Sequence, residues 1–118
     1  MIFDAGVFIA LENPSKRRVV LALVEKLHAG GVSPATTETA LAQAWRSPAN
    51  QVPMAMLARA TTVYPFGDPQ VIGRKCGVSK TSDVVDASLA VLAAQLDTVI
   101  LTTDPGDMDQ LNANYREL

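Results

Sequence analysis

Two hydrophobic rhythms run along this chain, and together they predict helices interleaved with short strands. Val19, Val20, Leu23, Val24 and Leu27 recur at three- and four-residue spacing, which predicts a half-buried helix from about Lys16 to His28. Asn13-Pro14-Ser15 opens it with capping residues, and Gly30-Gly31 ends it. Ahead of it, Met1 to Asp4 reads as a short apolar strand that Ala5-Gly6 turns into a helical segment, Val7 to Glu12. Behind it come a weak strand at Val32-Ser33 and a helix from about Thr37 to Arg46, with Leu41 and Trp45 one turn apart. Ser47-Pro48-Ala49-Asn50 breaks the chain, and Val52 to Ala60 is helical with Pro53 in its first turn. Thr61 to Tyr64 reads as a strand, Asp68 to about Cys76 as a short helix, and Gly77 to Lys80 as a link. From Ser82 to about Leu96, hydroxyl and carboxyl residues lead into an unbroken Ala, Leu and Val run, the longest apolar helix. Val99 to Thr102 is a β-branched strand, Asp104-Pro105-Gly106 a turn, and Met108 to about Asn112 a last helix before a polar tail.

Strands alternating with helices predict an α/β sandwich around a mostly parallel sheet. Ligands of such sheets sit at the carboxyl ends of the strands. Asp4 ends the first strand and Asp104 follows a later one, while the helix opening at Ser82 carries Asp83 and Asp86 at its start. A fifteen-residue helix spans about 22 Å and six extended residues about 20 Å, so the strand returns along the helix and brings both acidic ends to one edge. Asp4, Asp86 and Asp104 therefore share a pocket. Several carboxylates in one pocket raise each other's pKa and need a cation. No basic residue lies near Asp4 or Asp104 in sequence, which points to a hard ion with oxygen ligands, Mg²⁺ or Mn²⁺, and to phosphodiester hydrolysis. The plainer reading of each acid alone is that Asp83 and Asp86 cap a helix and Asp104 opens a turn.

Composition narrows this reading. The 118 residues are expected to form one domain, 1–118, with a real hydrophobic core. A net charge of −2 argues against a general polyanion-coating protein. Cys76 is the only cysteine, which excludes a disulfide and a thiolate metal site and fits a reducing cytoplasm. The N-terminal apolar stretch is interrupted by Asp4 and Glu12, so neither a leader peptide nor a membrane span is expected there. His28 has no second histidine with which to build a zinc site. Lys16-Arg17-Arg18 is the only basic run and falls in a helix's first turn, where a solvated face is the default and a phosphate contact the minority reading. Arg74, Lys75 and Lys80 flank the approach to Ser82, as surface charge or as contacts for RNA; Trp45 is expected in the core or at a dimer contact.

Ile2-Phe3-Asp4-Ala5-Gly6, Asp83-Val84-Val85-Asp86-Ala87 and Leu101-Thr102-Thr103-Asp104-Pro105-Gly106-Asp107 together resemble the acidic motifs of the PIN domain, in order and in spacing, across nearly the whole chain. The resemblance is to the short VapC-like toxins of toxin–antitoxin pairs. It implies a three-layer α/β/α sandwich and a Mg²⁺-dependent ribonuclease, usually dimeric, held inactive by a small antitoxin. By motif position it implies Asp4, Asp86 and Asp104 as metal ligands and Asp107 as an accessory acid. Thr102 is implied as the accompanying hydroxyl, binding phosphate or supporting Asp104, and Asp83 as a neighbour that orients water. The sequence departs from the pattern at the family's second acid, where Gln43 stands in Ala40-Leu41-Ala42-Gln43-Ala44-Trp45-Arg46. Gln43 carries no charge and cannot act as a base. Glu38 lies five residues earlier, about 140° round the helix, so Gln43 is expected to face the pocket and Glu38 to cap or compensate the helix dipole, with Glu38 as a displaced ligand the alternative. Arg46, one turn beyond Gln43, could reach a phosphate or pair with a pocket acid. The competing reading is a PIN-fold binding or regulatory module whose cleavage is weak or lost. A final edge strand, present in the family, is expected to be missing or irregular in the polar tail.

Overall fold

The two strands at the centre of a five-stranded sheet send one apolar side chain to either face, which buries the sheet on both sides. In the computed structural model, which describes residues 1–46 and 51–118, β1 (Ile2–Phe3) sends Ile2 into one buried cluster and Phe3 into another. β4 (Ile100–Thr102) divides Ile100 and Leu101 in the same way. With β2 (Ala35–Thr37), β3 (Thr62–Tyr64) and β5 (Tyr115–Glu117), the strand order is β3-β2-β1-β4-β5, and every neighbouring pair runs parallel. The sheet is thus wholly parallel rather than mostly so.

Helices cover both faces. On one side, α1 (Ala5–Ile9), a 3-10 turn (Ala10–Glu12), α2 (Pro14–Ala29) and α4 (Gln51–Arg59) pack Phe8, Leu11, Val20, Val24, Met54 and Leu57 around Phe3. Phe8 meets Phe3 edge to face at 6.3 Å. On the other side, α5 (Pro69–Ser79), α6 (Val84–Gln95) and α7 (Pro105–Gln110) bring Ile72, Leu89, Leu92, Met108 and Leu111 onto Ile2 and Ile100. α3 (Glu38–Ala44) spans the two, with Ala40 in one cluster and Ala44 in the other. This is a three-layer α/β/α sandwich. No helix among the described residues is long and apolar enough to cross a membrane.

The chain leaves β1 toward β2 and β3 through helices on one face, then returns to β4 and β5 through helices on the other. The two directions part between β1 and β4, whose ends carry Asp4 and Asp104. A parallel sheet opens a crevice for ligands at such a switch point.

Three local expectations are corrected and a fourth, for Trp45, is narrowed. The strand predicted at Val32-Ser33 lies at Ala35–Thr37: a polar-looking Ala-Thr-Thr is wholly buried between β1 and β3, and the Thr36 hydroxyl donates to the Phe3 carbonyl at 2.8 Å. Tertiary pairing overrides weak propensity there. Asp104-Pro105-Gly106 is the opening of α7 rather than a free turn, with Asp104 as its cap and Pro105 in its first turn. The final strand exists: Ile100 N–H donates to the Asn114 carbonyl at 2.9 Å and Leu118 N–H to the Thr102 carbonyl at 2.8 Å. Trp45 is 37% exposed and is not a core residue. The predicted break at Ser47-Pro48-Ala49-Asn50 lies outside the described residues.

Removing residues 113–118 is expected to lower the unfolding free energy by about 1–3 kcal/mol for these two hydrogen bonds alone, measured by urea denaturation. An unchanged midpoint would show that β5 does not support β4.

Candidate functional site

Three of the helices that open at the carboxyl edge of the sheet, α1, α6 and α7, are capped by the aspartates singled out in the sequence. Asp4 caps α1, its Oδ1 accepting from Val7 N–H at 3.1 Å. Asp83 caps α6 and accepts from Asp86 N–H at 3.0 Å; Asp104 caps α7 and faces Asp107 N–H at 3.4 Å. Asp83-x-x-Asp86 and Asp104-x-x-Asp107 are therefore the same local device used twice, a cap followed by a second acid in the first turn. The plainer reading of the caps holds, yet capping does not account for the second acid of each pair.

Those second acids converge. Oxygens of Asp83, Asp86 and Asp107 lie within 4.8 Å of one another. Asp104 stands beside Asp107 and helps raise its pKa. Gln110 of α7 donates to the Ser79 and Lys80 carbonyls at 3.2 and 2.8 Å, tying α7 to the loop that leads into α6. Burial and the neighbouring Asp83 and Asp107 carboxylates push Asp86 up to about 8. Asp107 is raised by partial desolvation and then by Asp104. None of the leading influences on either group is a cation.

Asp4 is held differently. It is 5% exposed, and burial raises its pKa against the pull of donors from the Thr102 hydroxyl and the Val7, Thr103 and Gly6 backbone. The Thr102 hydroxyl donates to Asp4 Oδ2 at 2.5 Å and accepts from Asp104 N–H at 2.9 Å. Its single proton is committed to Asp4, and the residue is fully buried, so Thr102 is not available to donate to a phosphate. It supports Asp4 through its side chain and Asp104 through the backbone. Asp4 and Asp104 lie outside the 4.8 Å cluster, to which this relay connects them.

The residues expected on α3 fall on the surface. Glu38 is the first residue of the helix, directly after β2 at the carboxyl edge, and is exposed. Gln43 is exposed on the last turn, about 7.5 Å further along the helix axis. Glu38 is not one of the three clustered acids. Arg46 is exposed just beyond the helix.

Sequence reasoning missed the opposite wall of the crevice. A cleft of about 500 Å³ is lined by Gly6, Ala10, Glu12, Asn13, Lys16 and Thr103, among others. Gly6 is required there, because a Cβ at that position would overlap the Thr103 hydroxyl and crowd Asp4 Oδ1 at 3.2 Å. The one available signal was the glycine placed two residues after Asp4.

The crowded acids set a pH dependence. Below the ordinary aspartate value of 3.8, Asp86 is protonated whether the chain is folded or not. Above it the unfolded chain ionises while the folded one holds its proton to about 8, so stability falls across that window and levels off beyond it. Asp86 is only half buried, so screening leaves about 1–2 kcal/mol. Asp86→Asn is expected to raise the metal-free protein's Tm at pH 8 and to flatten its loss of stability between about pH 5 and 8, measured by thermal unfolding across that range. Thr102→Val is expected to cost about 1–3 kcal/mol by stranding the buried Asp4 carboxylate, with Thr102→Ser recovering most of it in urea titrations.

Among solved structures with this architecture is FitAB bound to an IR36 DNA fragment, with a TM-score of 0.64 and 16% identity over 98% of this chain and 93% of that one. FitAcB from Neisseria gonorrhoeae matches with a TM-score of 0.68 and 15% identity over 97% of this chain and 94% of that one. No family model and no curated protein matches the sequence. At such identities the likeness is one of fold, and the fold of this chain is the PIN-like α/β/α sandwich that its acidic motifs predict.

Proposed function

We propose that this chain is a Mg²⁺-dependent endoribonuclease, a VapC-like toxin that cleaves RNA phosphodiester bonds, with residues 1–118 acting as one domain. One observation carries the reading: the carboxylates of Asp83 and Asp86 at the start of α6 and Asp107 in the first turn of α7 lie within 4.8 Å of one another beside the β1/β4 switch point, and the leading influences on Asp86 and Asp107 are burial and other acids. Such a donor set fits a hard divalent ion, which relieves like-charge repulsion that no neighbouring base relieves. Asp86 would hold the ion with Asp4 and Asp104, as their motif positions suggest. Asp83 and Asp107 lie close enough to Asp86 to ligate with it or to orient water. A bound Mg²⁺ or Mn²⁺ would supply positive charge to a phosphate oxygen and acidify a water molecule. Thr102 keeps the Asp4 carboxylate in place, and Arg46, exposed beyond α3, is left free to meet the RNA backbone.

The proposed partners are RNA, a second copy of the chain, and a small antitoxin protein. A protein partner is supported by an exposed apolar groove between α2 and α4, lined by Leu21, Val24, Met56, Leu57 and Ala60. The solved complex of FitAB with DNA also has this fold. A second reading, a PIN-fold binding module with weak or lost cleavage, is favoured by Gln43: the side chain at the second-acid position is uncharged and exposed.

Purified protein is expected to cleave single-stranded RNA with Mg²⁺ or Mn²⁺, to stop when EDTA is added, and to lose activity in Asp4→Asn and Asp86→Asn. Activity that survives both substitutions would overturn the assignment. Absence of cleavage together with absence of metal binding by calorimetry would favour the binding module. Gln43→Glu is expected to tighten metal binding if that side chain reaches the pocket, and Glu38→Gln to weaken it if Glu38 is the displaced ligand.

A further inference from the structure

The cleft beside Asp4 has no part in the metal chemistry, yet it shares a wall with it. Gly6 and Thr103 line the cleft with their outer surfaces and give their backbone N–H groups to Asp4. Its volume, about 500 Å³, falls within the range of small-molecule sites, and it opens at the switch point where parallel sheets bind ligands. The acids of α6 and α7 lie across the sheet from it, since α1 and α2 cover the opposite face.

The basic run Lys16-Arg17-Arg18 resolves into separate roles here. Arg17 Nε donates to the Leu11 carbonyl at 2.7 Å, which ties α2 to the 3-10 turn and fixes one wall. Lys16 lines the cleft itself. It stands in the first turn of a sixteen-residue helix, where the macrodipole opposes a positive charge. The Ser15 and Lys16 N–H groups are already taken by Asn13 Oδ1, at 3.0 and 3.2 Å, so an anion in the cleft would meet the lysine ammonium rather than bare helix amides. Glu12 lines the same cleft and would oppose a phosphate there.

We infer that this cleft is the subsite for the nucleotide adjoining the scissile phosphate of a single-stranded RNA, with Lys16 contacting that nucleotide's own phosphate. The inference rests on the nuclease reading and gives it a direction: the strand runs from the acids of α6 and α7, past Asp4, toward the start of α2. Lys16 is a binding residue and takes no part in bond cleavage.

The test uses the full chain carrying Asp86→Asn, so that RNA is not consumed, with Mg²⁺ present and a short fluorescein-labelled single-stranded RNA followed by anisotropy. Adding Lys16→Ala is expected to weaken binding about 3- to 10-fold at low salt and to reduce the slope of log affinity against log salt by about 0.7, the loss of one single-strand phosphate contact. Lys26→Ala, at the other end of α2, is expected to change neither. Glu12→Gln is expected to tighten binding. In the chain with Asp86 intact, Lys16→Ala is expected to raise KM and leave kcat within about 2-fold, as loss of uniform binding does. Lys16→Glu should raise Tm slightly while binding falls, which separates a contact from a folding defect. Unchanged affinity and slope in Lys16→Ala, or an equal loss in Lys26→Ala, would overturn the inference even where the wild type cleaves RNA. Conversely, Lys16-dependent binding without any cleavage would keep the cleft as an RNA-binding site and overturn its place beside a scissile phosphate together with the nuclease reading.

Discussion

One hydroxyl group joins the two halves of the crevice. Thr102 stands at the end of β4, donates to Asp4 at the end of β1, and accepts from the Asp104 backbone that starts α7. A valine of similar shape would pack equally well and break both links. The buried carboxylate would then have lost its side-chain donor, and the cap of α7 its anchor. The positions of the acids therefore depend on a polar contact inside an otherwise apolar strand. This explains why a fully buried threonine ends a strand whose other residues are Ile100 and Leu101.

Around that link the chain repeats one capping device. Helices α6 and α7 both begin Asp-x-x-Asp, and in each the first acid serves its own helix while the second is turned toward the other helix's pair. The first acid gains from the helix dipole and from a backbone donor. The second accumulates repulsion: Asp86 pushed up to about 8 marks energy stored at the edge rather than spent on holding the fold together. Under the proposed metal reading, a hard cation would release it, so that stability of the ion-free chain and affinity for an ion would trade against each other.

Much of this was legible from residues alone, because the acids sit where periodicity changes. A run such as Val99-Ile100-Leu101-Thr102 followed by Asp104 and Pro105 marks a strand end, and an acid at a strand end in an α/β chain marks the ligand edge. What stayed hidden depended on contacts between distant segments. Ala35-Thr36-Thr37 has little strand character until β1 and β3 flank it. Tyr115-Arg116-Glu117 reads as a polar tail, and it becomes a strand only because the Ile100 amide and the Thr102 carbonyl need partners. On α3 the sequence placed Glu38 in the first turn, as found, while the way Gln43 faces depends on how the helix crosses between the two layers. The cleft at Gly6 and Lys16 needed the close approach of Thr103, which no spacing announces.

The contact between Thr102 and Asp4 spans 98 positions of sequence. The β1–β4 pairing therefore closes a loop of 98 positions before its contacts can reward it, which places assembly of the acidic edge among the slow, late steps of folding. Until then Asp4 has neither its hydroxyl partner nor the carboxylates across the crevice.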